Sequence, residues 1–138
     1  MSHVRTQIRE SIAALVTGLA STGPRVFQSR MRPQSDAILP CLLVTTADEE
    51  ITQSQIGGLF ERRLNLIIIG VAKQNNAIDD ALDQIAAEVE TQMVIDHRAT
   101  LVGIETDFDD ETDKPVGRIA LRYQIIYYTR AGTPGTPA

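Results

Sequence analysis

The sequence is short of the residues that carry most chemistry. One cysteine, Cys41, stands among 138 residues, so the chain cannot close a disulfide on itself. It lies in the apolar run Pro40-Cys41-Leu42-Leu43-Val44, where a free thiol packs as a small hydrophobe. The two histidines, His3 and His97, have no companion at metal or triad spacing and read as solvated surface side chains. GxGxxG, the P-loop, GxSxG, CxxC and HExxH are all missing. Gly57-Gly58 is no phosphate cradle, because no Lys or Ser/Thr follows at P-loop spacing. No catalytic residue, cofactor site or metal ligand set is therefore expected, and the chain is not expected to be an enzyme. Long hydrophobic runs are missing too; none approaches the ~20 residues of a membrane span. Arg5, Arg9 and Glu10 interrupt the N-terminus, which lacks a signal-peptide core. The expected setting is the cytoplasm, away from membranes.

What is present suits one folded domain. A chain of this length can bury about two-thirds of its unfolded surface, and its 43% hydrophobic and 22% charged content is ordinary for a globular protein. Its cations are eleven arginines and two lysines, and arginine rather than lysine is the cation of protein interfaces. The net charge of −5 argues against nucleic-acid binding. Six carboxylates crowd residues 105–113, outweighing the whole excess, while Arg5, Arg9, Arg25, Arg30 and Arg32 face only Glu10 in the first 32 residues. Opposite charges at separate places suit head-to-tail contact between copies. Arg25, Arg30 and Arg32 are candidate inter-subunit contacts, with Asp48, Glu49 and Glu50 or the 105–113 acids as their counterpart.

Periodicity divides the chain into elements. Val4, Ile8, Ile12, Leu15 and Leu19 predict an amphipathic helix over 3–20, capped by Ser2 and stopped by Gly23-Pro24. A short strand over 25–30 and a polar connection over 31–38 follow. Pro40–Thr46 alternates as a strand, and Ala47–Phe60 reads as a long polar hairpin loop. Arg62–Ala72 is apolar on both faces, which predicts a central strand covered on both sides, the second cover being a helix or a neighbouring subunit. Ile78, Leu82, Ile85, Ala86, Val89 and Met93 mark a second helix over 77–93 with Asn76 as its cap. Strands over 101–107 and 117–129 flank the acidic turn, and the Gly/Pro/Thr-rich 131–138 reads as a disordered tail after a domain spanning 1–130. The expected fold is α+β: a mixed or antiparallel sheet of about five strands, two helices on one face, in the order α-β-β-β-α-β-β.

The acidic run is the one candidate for chemistry. Asp107, Asp109 and Glu111 alternate like the start of a calcium loop, but the sixth and twelfth positions are Thr112 and Arg118 instead of Gly and Glu. With Glu105, Asp110 and Asp113 the run reads as a solvated turn, or as an acidic lumen or interface loop that repels a DNA backbone. Arg122-Tyr123-Gln124-Ile125-Ile126-Tyr127-Tyr128 interleaves basic and aromatic residues, yet its period-two pattern fits a core strand better than a nucleic-acid platform.

Taken in order, these segments resemble a known family. An Arg-bearing first helix (RTQIRESIAALVTGL) precedes a short VF strand and an Arg-containing loop; ILPCLLVTT follows with acids after it. Then come RRLNLIII, a helix opening in Asp-Asp (IDDALDQIAAEVE), an acidic turn and a strand ending in tyrosines (GRIALRYQIIYYT). Over residues 3–129 this resembles the tail terminator proteins of long-tailed phages, the minor tail protein U family; the 131–138 extension departs from that pattern. The resemblance implies a structural virion protein of the tail, assembled in the host cytoplasm as a hexameric homo-oligomeric ring. Such a ring caps the head-proximal end of the tail tube, ends tube polymerisation and presents a surface for head joining. The implied partners are the tail tube protein and the head-completion or connector protein, with DNA passing through unread and no cofactor. Head–tail joining proteins of the neck share a similar fold and are the alternative. A ligand-binding domain or enzyme is a distant one, requiring a pocket with convergent polar groups.

Overall fold

The alternation of apolar side chains that predicts strands and helices is realised in a computed structural model that describes residues 3–28, 40–53, 58–73, 77–109 and 116–137. Helix α1 (Val4–Leu15) turns Val4, Ile8 and Ile12 into the core. Its cap is His3, whose Nδ1 accepts the Arg5 backbone N–H at 3.0 Å; Ser2 lies outside the described residues. The helix stops five residues before the expected end. Gly18 adopts φ +91°, open to glycine at little cost, and its N–H reaches the Gly23 carbonyl at 2.8 Å. Leu19 keeps its place in the core, but from this turn instead of from a helix.

Strand β1 (Val26–Phe27) runs parallel to β2 (Cys41–Gln53), which pairs antiparallel with β3 (Leu59–Lys73). Helix α2 (Ile78–Met93) crosses back, and β4 (Ala99–Asp109), β5 (Val116–Arg130) and β6 (Thr133–Pro137) complete the chain. Among the described residues the sheet has six strands in the order β1-β2-β3-β5-β4, with β6 also on β5. Since β3 lies along all of β5 on one side, β6 occupies the other side, at Thr129 and Arg130 beyond the reach of β4. The α+β architecture and its element order are as expected; the extra strand is β6.

Two expectations are corrected here. Most of Ala47–Phe60 is strand, with the pairing Glu49↔Leu64 to Gln53↔Phe60 continuing past a bulge between Thr46 and Glu49; residues 54–57 lie outside the described set. Polar side chains had suggested a loop, but the ladder bonds backbone to backbone and accepts polar side chains. The expected disordered tail likewise carries β6. Gly132, at φ +84°, turns the chain back, Gln7 Nε2 donates to the Gly135 carbonyl at 2.8 Å, and Pro134 and Pro137 sit on an edge strand, where proline is tolerated.

Both helices cover the same sheet face. Ile8, Ile12, Leu82, Ile85 and Val89 pack with Leu64, Leu66, Ile68, Leu121 and Ile125 in one core. Gly70 and Gly117 lie under α2: a Cβ on Gly70 would stand 2.7 Å from Ile85 Cγ2, and one on Gly117 2.9 Å from Leu82 Cδ1. The opposite face holds a smaller cluster of Cys41, Leu43 and Val71, with Ile69 and Val116 partly buried against it. Ala77 precedes α2 at φ 56° with no side-chain cap bond; Asn76 lies outside the described residues.

Candidate assembly surfaces

The charged side chains singled out in the sequence fall into separate environments. Arg25 is engaged within the subunit: its Nε donates to the Pro40 carbonyl at 2.7 Å and its Nη2 to that of Ser21 at 3.3 Å. Arg30 and Arg32 lie outside the described residues. Asp48 and Glu50 are exposed on the β2–β3 ribbon, Asp48 accepting from Asn65 Nδ2 at 3.2 Å. Glu49 is different, because the bulge turns its side chain to the helix-covered face. There its carboxylate meets Arg62 Nη1 at 3.3 Å, the two side chains only 5% and 9% exposed, and accepts a short hydrogen bond from the Tyr127 hydroxyl. Glu49 is thus an internal ion-pair partner, not a free contact residue.

Around that pair stands a polar cluster that sequence periodicity did not reveal. Arg62 Nε donates to Thr129 Oγ1 at 2.7 Å, and its guanidinium lies 5.6 Å from the centre of the Phe60 ring. His3 Nε2 sits 3.5 Å from Arg62 Nη1, so the imidazole, expected to be solvated, is partly buried and engaged. Burial, then the Arg62 charge, lower its pKa below the ordinary value. Burial, reinforced by Glu49, raises the pKa of Tyr127. Arg5 Nη2 donates to the Ala47 carbonyl at 3.2 Å. The cluster fastens the start of α1 to the far end of the β2-β3-β5 ribbon. The signal that could have found it was Arg62 in phase with Leu64, Leu66 and Ile68, an arginine at a core-facing position.

The acidic run is only partly described. Glu105 and Asp107 lie on β4 and face Arg122 and Arg118 of β5, at 3.4 and 3.9 Å. Asp109 ends the strand, and Asp110, Glu111 and Asp113 lie outside the described residues. Exposed cross-strand pairs of this kind contribute little to stability. Among the described residues no group of three or more His, Cys, Asp or Glu is placed to hold a metal ion. Burial pushes the Cys41 thiol up to about 11, against the opposing charge of Arg25, which leaves it a poor nucleophile.

Large apolar side chains also reach solvent on this edge. Val102, Ile104 and Phe108 all project from β4, and Ile126 and Tyr128 from the outer face of β5. No helix among the described residues is long and apolar enough to cross a membrane. A groove of about 330 Å³ beside α2 is lined by Ser21, Pro40, Ala72, Lys73, Ala81, Gln84 and Ile85; it brings together no histidine, carboxylate or thiol.

No family model and no curated protein matches this sequence. Among solved structures, a chain of the "virion of native gene transfer agent (GTA) particle" is similar at 19% identity, covering 90% of this chain and 92% of that chain, with a TM-score of 0.44.

Proposed function

We propose that this chain is a structural virion subunit that forms a ring on the head-proximal end of a phage tail tube. There it ends tube polymerisation and offers the surface to which the head is joined. The observation that carries the reading is the match between motif order and element order. RTQIRESIAALVTGL supplies α1, VF is β1, CLLVTT opens β2, RRLNLIII lies in β3, IDDALDQIAAEVE in α2, and GRIALRYQIIYYT in β5. The helical and strand segments that carry the resemblance to the minor tail protein U family therefore follow one another as elements in the expected order, while most of the Arg-containing loop and of the acidic turn lies outside the described residues. The surface supports an assembling protein: helices cover one sheet face, and among the described residues no strand pairs with the outer side of β4. In this reading the expected partners are other copies of the chain, the tail tube protein and the head-side connector, and DNA passes through the ring without sequence-specific contact.

Deleting the gene from the particle-producing genome tests this. Tubes should grow past their normal length and fail to join heads, and the protein supplied in trans should restore both. Normal-length, head-joined tails without the protein would overturn the reading.

A further inference from the structure

We infer that the shelf between α2 and the helix-side face of β4 docks a basic amphipathic helix of a partner protein. The register sets Leu101, Ile104, Thr106 and Phe108 of β4 opposite Tyr123, Leu121, Ile119 and Gly117, on the face that the helices cover. None of these four β4 side chains is charged, and Ile104 and Phe108 are 45% and 44% exposed. They reach solvent because α2 packs mainly on β3 and β5. Neighbouring strands lie about 4.8 Å apart and packed helices about 8–10 Å. A further helix laid against α2 would therefore stand over β4, with Ile104 and Phe108 beneath it. The shelf is roughly 20 Å long, enough for nearly four turns of helix.

Charge chooses the occupant. Glu90, Met93 and Val94 of α2 meet Ala99, Leu101 and Tyr123 around a groove of about 180 Å³, so this flank of α2 looks onto β4. Helical spacing puts Ala86, Asp83 and Asp79 on the same flank. Asp79, Asp83 and Glu90 are exposed, and α2 contains no lysine or arginine. Among the described residues none of these three acids forms a salt bridge. Glu105 and Asp107, by contrast, lie on the other sheet face beside Arg122 and Arg118. An apolar floor under an unneutralised acidic wall complements a helix with one apolar stripe and lysine or arginine along its flank. The same wall repels phosphate, so nucleic acid and anionic lipid do not fit. A second copy has no such helix to offer: both of its helices bury their apolar stripes in their own core, and α2 is itself acidic. This docking goes beyond the ring proposed above and does not depend on it.

The test is an NMR titration of the isotope-labelled protein with a synthetic leucine/lysine amphipathic peptide of about four helical turns. A control peptide carries glutamate at each lysine. The lysine peptide should shift the amides of Ile104, Thr106, Phe108, Asp83 and Glu90, and the glutamate peptide should bind about tenfold more weakly or worse. Two variants separate floor from wall: Ile104→Ser with Phe108→Ser, and Asp79→Asn with Asp83→Asn and Glu90→Gln. The replaced side chains reach solvent, so both variants should melt like wild type, and each should bind the lysine peptide about tenfold more weakly or worse. Should the floor variant melt early, the wall variant decides. No shifts with the lysine peptide, shifts confined to the opposite sheet face, or wild-type affinity in a folded variant would overturn the inference. Equal binding of both peptides would overturn it by leaving only a non-selective apolar surface. The same amides shifting with protein concentration alone would overturn it in favour of a second copy.

Discussion

Arg62 and Glu49 show how a charged pair in a polar-looking stretch can be interior. Their carboxylate and guanidinium are buried, lie beside His3 at the start of α1 and are bonded to Tyr127 and Thr129. Replacing Arg62 by Met should cost about 3 kcal/mol, because Glu49 is left buried without its cation. The double variant Arg62→Met, Glu49→Leu should recover most of that loss; equal melting temperatures for single and double variants would contradict the pairing. His3 gives a pH dependence from the same cluster. Its folded pKa lies below the unfolded value, so its stabilisation is complete above the ordinary histidine range and fades as pH falls through the folded value. His3→Asn keeps a good helix cap and should match wild type near neutrality while melting less steeply with acid. Glu88, on the outer side of α2, is also engaged. Burial alone would raise its pKa, but bonds from Ser21 N and Oγ at 2.8 and 2.5 Å, with Gln84, prevail and lower it. Glu88→Gln should therefore cost about 1 kcal/mol at neutral pH, a difference that shrinks in denaturation curves as pH falls through the lowered pKa.

At the scale of elements, apolar periodicity was enough where one face is buried. Ile8, Ile12, Ile85 and Val89 lie in the core as their spacing requires, and β3 and β5 alternate as read. It was not enough where backbone geometry decides. Leu19 kept the helical phase although Gly18 had already ended α1, and the polar ribbon and the proline-bearing β6 are held by main-chain bonds that side-chain pattern does not encode. The same holds for the sites. Glu105 and Asp107 are placed by their strand, while the inward turn of Glu49 depends on a bulge that no local pattern announces. The bed under α2 is a further element-scale feature. Gly70 and Gly117 let the helix approach so closely that Gly70→Val would drive its side chain into Ile85 and Ile119. Overpacking of this kind costs about 1–3 kcal/mol, which chemical denaturation would resolve; a neutral Gly70→Val would mean that α2 stands farther from the sheet.

At the scale of the whole molecule, the subunit is one-sided. Its helices and main core occupy one face of the sheet, its polar cluster fastens the ribbon end, and its longest edge strand presents apolar and acidic side chains to solvent. In the ring reading proposed above, if charge guides the contact between copies, assembly should weaken with salt as surface attractions are screened within roughly 10 Å at 0.1 M ionic strength. The most direct measurement of the central claim is electron microscopy of the purified protein at high concentration and low salt. The account predicts closed rings with an open centre, which seat on one end of tail tubes when these are added. Monomers or two-fold dimers at every concentration, with tube ends left bare, would contradict it.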